Sequence, residues 1–393
     1  MNKKISLGVV ITMIIAVIAA TFAITMSVSQ RIYNRLIVNL QDRMAAYSLI
    51  DELDAIVQKN YYGSVVSDSR NSDMLSGYIN SLGDSSSYYL SPSAYSAYLA
   101  SMNGEVNGIG ANVSLDSKSG YLTVTSVFEN SPAASAGIAK GDLISVIDGE
   151  TVTSKNYSQM MESLNGNKLT SVKITYIHKN KAKTVSVMMG YSAKSVSYKI
   201  IGSSTVYIKI DGFYANTAKQ LKDVISSFPD EADSIVFDVR GTAGGTVQYT
   251  ADTLKLIVPM ASEGSGALAA EIDKNGNETY YASNADSLSD YKIAVLVNGE
   301  TLGCGELFAC DLRDFGMAKL VGETTKGNAN VQKAFALSDG SGVVLTVAKI
   351  RPYITETFER TGLTPDIEVP AGGASVEDDI QLGTAVHYLS DKK

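Results

Sequence analysis

The stretch "VLVNGETLGCGELFACDL", residues 295–312, decides how this chain is read. It opens as an apolar run, Val295-Leu296-Val297, which reads as a buried strand. Asn298-Gly299 marks a turn, and Glu306, Leu307, Phe308 and Ala309 then carry a helix. A sharp strand-to-helix turn is where α/β hydrolytic enzymes often hold a nucleophile, because that residue projects from a helix N-terminus. This turn holds Gly303, Cys304 and Gly305, with no serine.

Around it, residues 200–370 alternate buried strands with helices. The strands are "TVYIKI", "SIVFDV", "IAVLVN", "AKLVGE" and "GVVLTVAKI", and the helices lie near 215–227, 246–258 and 304–314. That alternation predicts an α/β core with a largely parallel sheet. A last helix is expected over about 376–390. Residues 106–190 read differently: "YLTVTSVF", "DLISVID", "VKITYIH" and "TVSVMM" are strands, interrupted by helical "SPAASAG" and "KNYSQMMESLNG". This is a small β-rich domain with two helices. Residues 31–62 place Ile32, Leu36, Leu40, Met44, Leu49, Leu53 and Ile56 at helical intervals. Shorter helices are expected at Met74–Leu82 and Pro92–Met102, separated by the turn "GDSSSYYLSPSAY".

Residues 1–30 stand apart. Lys3 and Lys4 precede an uncharged run whose apolar part, 5–26, can span a bilayer as a helix. A cleavable signal peptide has a shorter apolar core, so a signal anchor is the favoured reading. The two lysines beside a short N-terminus favour an extracytoplasmic globular part.

Composition narrows the function. A chain of 393 residues with 45% hydrophobic and 19% charged residues is globular and long enough for two or three domains. A net charge of −8 argues against nucleic acid as a partner, since phosphate binding needs a concentrated positive face. Two histidines, His178 and His387, and two cysteines, Cys304 and Cys310, make an ordinary zinc site improbable, and no cofactor is expected. The cysteines read as free buried thiols.

Several motifs, in order, then resemble the C-terminal processing (tail-specific) serine peptidases. "SLGDSSSYYLSPSAYSAYL" is similar to a run in that family's helical N-terminal part. "GIGANV" and "SPAASAGIAKGDLISVIDGETV" resemble its PDZ domain. "VFDVRGTAGG", "VLVNG…GELFACDLRDFGMAKLVGETTKGNANVQ" and "GLTPDIEVP" resemble its core. The resemblance implies an α+β multidomain fold. It would comprise a transmembrane anchor (1–30), a helical region (31–105), a PDZ domain (106–190), a ClpP/crotonase-like α/β peptidase core (191–375) and a C-terminal helix (376–393).

The resemblance also implies chemistry. The family uses a serine three residues before a glutamate, and a lysine 25 residues later that is kept neutral by burial so that it can take the serine proton. Counted from Glu306 the serine position is 303, and counted back from Gln332 the lysine position is 328. Here they are Gly303 and Asn328, while Gln332 is kept. The resemblance places oxyanion-binding amides at Gly244, Gly245 and Cys304. Two residues offer themselves as substitutes. Cys304 is a thiol at a helix start, but it lies one residue off. Lys326 would share a strand face with position 328, but roughly 7 Å away. In the PDZ domain, Gly108, Ile109 and Gly110 would hold a peptide carboxylate, the strand from Ala111 would pair with the peptide, and Met160, Met161 and Leu164 would line the groove.

Three functions stay open from the sequence. One is a silent homologue that binds peptide or protein C-termini. Another is a peptidase with an unconventional nucleophile. The third is a structural partner, self-associating or paired with an active homologue through 31–62 and the C-terminal helix.

Overall fold

The computed structural model describes residues 7–37, 40–63, 67–166, 170–242, 244–260, 267–282, 288–373 and 378–391. The chain divides into two units, Met1–Asn71 and Ser72–Lys393.

In the first unit, α1 (Leu7–Ile37) runs unbroken past residue 30, so the apolar stretch and residues 31–37 form one helix with no structural boundary between them. Thr12–Ser29 is long and apolar enough to cross a membrane, with mean hydropathy 2.0. The helix α2 (Leu40–Asn60) carries the rest of the expected amphipathic stretch. Its Leu49, Leu53 and Ile56 are exposed. The expected helix at 74–82 starts earlier, as α3 (Ser67–Asn80), most of whose residues belong to the second unit.

In the second unit, β1 (Tyr88–Leu90) and α4 (Pro92–Met102) lead by β2 (Glu105–Val106) into the β-rich domain. Pro92 comes directly after Ser91, whose hydroxyl accepts the Ala94 N–H; this cap fixes the start of α4 at its predicted position. The domain contains β3 (Ala111–Leu115), β4 (Leu122–Val127), α5 (Pro132–Ser135), β5 (Leu143–Ile147), β6 (Glu150–Thr151), α6 (Tyr157–Ser163), β7 (Ser171–His178) and β8 (Lys181–Met188). Its antiparallel sheet has the order β3-β4-β5-β7-β8, which leaves β3 on an edge. A short pair, β2 with β9 (Tyr191–Ser192), closes the domain's entry and exit.

The core is built on β10 (Val196–Ile201), β11 (Thr205–Ile210), β12 (Gly212–Phe213), α7 (Thr217–Ile225), β13 (Ser234–Asp238), β14 (Gly244–Gly245), α8 (Val247–Leu254), β15 (Ala267–Asp273), β16 (Glu278–Ala282), β17 (Lys292–Val297), α9 (Cys304–Asp314), β18 (Ala318–Gly322), β19 (Asn330–Ala336), β20 (Gly342–Arg351), β21 (Ile367–Glu368) and α10 (Ile380–Asp391). The main sheet has the order β10-β11-β13-β17-β18-β21 and is parallel from β11 onward.

Alternation along the strands buries both faces. Ile235, Phe237, Ile293, Val295 and Val297 pack with residues of α7, α8 and α9. Val236, Ala294 and Leu296 pack on the other face with Leu382, Ala385 and Leu389 of α10. Phe308 of α9 sits between Phe213 and Phe237, with ring centroids 5.2 and 5.3 Å away.

One strand expected in the parallel sheet, "GVVLTVAKI", lies elsewhere. As β20 it is the centre of a separate antiparallel sheet, pairing with β1, β15 and β19. A continuous apolar run does not say which sheet it joins. The strands β15 and β19 leave little trace in the sequence because they are rich in Ala, Glu, Lys and Gln, which have little strand preference.

Replacing Phe308 with Ala should lower stability by about 3–5 kcal/mol, the cost of emptying a core aromatic site. Urea unfolding of the full chain, followed by circular dichroism, would measure it.

Candidate functional site

Three adjacent parallel strands, β13, β17 and β18, deliver the site. Their C-terminal loops lie side by side, and ligand sites in such sheets form beyond those ends. The β13 loop carries Gly244 and Gly245, the β17 loop carries Gly303, and the β18 loop carries Lys326 and Asn328. The loops are stitched together. Leu302 N–H donates to Thr242 O (3.0 Å), Lys326 N–H to Thr301 O (3.0 Å), and the Thr301 hydroxyl to Val239 O (2.9 Å).

At the centre is the Glu306 carboxylate, which is fully buried. Its Oε2 accepts the N–H of Gly303 (3.0 Å) and of Asn328 (2.9 Å). Its Oε1 accepts the N–H of Gly327 (2.7 Å) and the hydroxyl of Thr325. The negative charge sits in the first turn of α9, where the helix dipole favours it. One side chain thereby fixes positions 303 and 328 facing each other. Gly303 has φ +57° and ψ −110°, a backbone state that strains any L residue. A Cβ there would still find room, because its nearest neighbour would be Asn328 O at 3.7 Å.

These positions open on a cleft of about 370 Å³ lined by Gly245, Gly303, Cys304, Asn328 and Gln332. Tyr249, Glu271, Tyr281 and Lys333 form other parts of its wall. The Tyr281 hydroxyl donates to Glu271 Oε1 at 2.6 Å. Gly244 does not line the cleft; a Cβ on it would collide with the Tyr214 hydroxyl at 2.3 Å. Lys326 is exposed and is not part of the cleft wall.

Cys304 begins α9 and is buried, as is Cys310; both are free. Burial pushes the Cys304 thiol up to about 11, with a hydrogen bond to Thr250 pulling the other way and the Glu271 charge adding to the rise. It therefore stays protonated at neutral pH, although it occupies a helix N-terminus.

Asn328 is tied into its surroundings. Its Nδ2 donates to Ser86 Oγ (3.3 Å) and its Oδ1 accepts the Asn330 N–H (3.0 Å). Asn330 Nδ2 reaches the same hydroxyl at 2.9 Å, and Gln332 Nε2 donates to Ser86 O. Ser86 is the contributor that sequence reasoning misses. Its position inside "GDSSSYY" is the available signal, since that run shares the resemblance with the core motifs. Asp84 fixes the run by accepting from Ser86 N, Ser87 Oγ and Thr346 Oγ1 at 2.9, 2.5 and 2.6 Å.

In the β-rich domain the expected carboxylate loop is folded onto α6. Gly108 N–H donates to Gly166 O (2.8 Å) and Ile109 N–H to Leu164 O (3.1 Å). The Ile109 amide, expected to hold a carboxylate, is thus already engaged. Met160 and Leu164, expected to line a groove, are buried core residues, and Met161 packs partly buried against that core. The apolar period of α6 marks an inward face. Gly110 is buried, while the edge strand starting at Ala111 keeps one side free for another strand. His178 Nδ1 lies 2.8 Å from Asp142 Oδ1 inside this domain, and His387 lies on exposed α10 surface beside Asp391.

Comparison with known proteins matches residues 204–369 to Peptidase family S41 and residues 108–189 to the PDZ domain. The chain is 26% identical over 285 residues to a carboxyl-terminal-processing protease of Synechocystis sp., covering 70% of this chain and 66% of that protein. It is 28% identical over 323 residues to the carboxy-terminal processing protease CtpA of Bacillus subtilis, covering 79% and 66%. The chain thus spans about two thirds of the length of these curated relatives. Among solved structures it is similar to a photosystem II D1 C-terminal processing protease, at 21% identity and a TM-score of 0.46, covering 81% of this chain and 86% of that one.

Two measurements test this geometry. Glu306→Gln puts an amide NH2 against inward-pointing donors and should cost about 1.5–3 kcal/mol, the scale of a hydrogen bond to a charged group, in urea unfolding. Alkylation of Cys304 by iodoacetamide should be slow at pH 8. Its rate should keep rising to pH 10, past the point near 8.5 where a free cysteine levels off.

Proposed function

We propose that this chain, whose residues 204–369 match peptidase family S41 and whose residues 108–189 match the PDZ domain, is a catalytically silent homologue of the C-terminal processing peptidases. It binds peptide or protein C-termini in its cleft and on its PDZ domain, and is anchored through α1 with the globular part outside the cytoplasm. The observation that carries this reading is the pair Gly303 and Asn328, held opposite each other by Glu306. Glycine offers no nucleophile, and an amide accepts no proton near neutral pH. Loss of both members of a cooperative pair removes covalent catalysis.

The remaining features favour binding. Gly245 and Cys304, whose amides would form an oxyanion hole, line the same cleft, where a carbonyl or carboxylate oxygen could be held. A displaced nucleophile at Cys304 is opposed by its protonated, buried thiol. On the PDZ domain, the free edge of β3 suits strand addition by an extended peptide. A second reading, a structural partner that associates through α2, is favoured by the exposed Leu49, Leu53 and Ile56.

The full-length chain in detergent should give no turnover of a peptide with an apolar C-terminus above that of Cys304→Ala, while still binding it in a calorimetric titration. Turnover that survives purification and falls in Cys304→Ala would establish the peptidase reading instead. A further outcome concerns the PDZ loop. Because Gly108 and Ile109 must leave Gly166 and Leu164 before holding a carboxylate, the peptide acid should bind less than about tenfold tighter than its amide, under about 1.4 kcal/mol. A hundredfold preference would mean that the loop already presents a free cradle.

A further inference from the structure

The far end of α9 carries a second cluster, remote in chain position from the cleft-lining N-terminus. Cys310, Asp311 and Asp314 fall at i, i+1 and i+4, and one ligand atom from each lies within 4.8 Å of the others. Cys310 and Asp311 are fully buried. Each carboxylate is aimed by backbone donors from the loop after β20. Tyr353 N–H donates to Asp311 Oδ1 (3.0 Å). Ile354 and Thr355 N–H donate to Asp314 Oδ2 (3.1 and 2.7 Å), and the Thr355 hydroxyl to Asp314 Oδ1 (2.8 Å). That leaves Asp311 Oδ2 buried with no hydrogen-bond partner. Among the described residues neither aspartate forms an ion pair with a Lys, Arg or His.

An orphaned buried carboxylate oxygen is costly. A proton would remove the charge but leave the atom without a partner. A cation would supply both. The Cys310 thiol donates to Asp314 Oδ2 at 3.8 Å, a bond that the thiolate would exchange for the metal. Tetrahedral zinc, with bonds of about 2.3 Å to sulfur and 2.0 Å to oxygen, sets such ligands about 3.5 Å apart. Ligating carboxylates are commonly oriented by hydrogen bonds from the next layer of residues, as the 353–355 amides do here.

We propose that Cys310, Asp311 and Asp314 bind a borderline-soft divalent cation of the zinc class, with water completing the coordination. Cys310 binds as thiolate, releasing its proton to solvent. The ion pins the end of α9 to the loop at 352–355, where Phe315 and Tyr353 also stack at 4.2 Å. Because α9 starts at the cleft, the metal steadies that helix without touching the cleft.

The test uses the untagged full-length chain in detergent, stripped of metal and titrated with Co²⁺. One equivalent should produce a thiolate-to-cobalt charge-transfer band in the near ultraviolet, which Zn²⁺ then abolishes. Cys304→Ala should keep the band. Cys310→Ala should lose it, and Asp311→Asn, which keeps the side chain's shape, should weaken binding on the order of tenfold or more. The thermal midpoint of the native chain, but not of Asp311→Asn, should rise with Zn²⁺. No band in the native chain, an undiminished band in Cys310→Ala, or saturation only at millimolar Co²⁺ (an adventitious ion only) would overturn the proposal.

Discussion

The site depends on one buried charge. Glu306 takes four donors, three from the 323–329 loop and one from its own helix start, and no water or cation is needed to satisfy it. The parallel ladder β13-β17-β18 brings the loops near one another, but a ladder fixes strand ends only. The loop at 323–329 is held in register because its amides end on Glu306, and the strained turn at Gly303 persists because its N–H does too. Remove the carboxylate and several buried donors lose their acceptor together, which is the costly way to break a polar network. The consequence is a cleft that holds positions 303 and 328 together although neither carries a nucleophile or a base.

Much of this is legible in the chain. The helix over 304–314, the strands at 205–210 and 234–238, and the helix at 92–102 come from apolar period, turn residues and a Ser-Pro cap. The motif offsets that the resemblance supplies, counted from Glu306 and Gln332, locate positions 303 and 328, and the structure brings both to one cleft. Glu306 itself serves there only as a ruler. Nothing in the chain announces that a glutamate one turn into a helix will be buried, because glutamate there is ordinarily a solvated cap. Ser86 is illegible for a related reason: its contact with Asn328 spans 242 residues of chain.

The β-rich domain shows the opposite error. Met160, Met161 and Leu164 have the right period for a groove wall, but the same period serves a core, which takes Met160 and Leu164 and leaves Met161 partly buried against it. The "GIG" loop has the backbone freedom to gather amides around an anion. Gly108 instead uses that freedom to approach α6, where a Cβ would meet Leu164 O at 2.6 Å. The edge position of β3 is a feature of sheet order that no local pattern reveals.

If the cleft is intact and only its two reactive groups are missing, restoring them should restore reactivity. The sharpest measurement is labelling by a serine-directed fluorophosphonate of four forms of the full chain: native, Gly303→Ser, Asn328→Lys and the double variant, each checked for folding by circular dichroism. Label is expected on the double variant alone. Label on Gly303→Ser by itself would contradict this, since a base would then already be in place. A folded double variant that stays unlabelled would contradict the competence of the rest of the cleft.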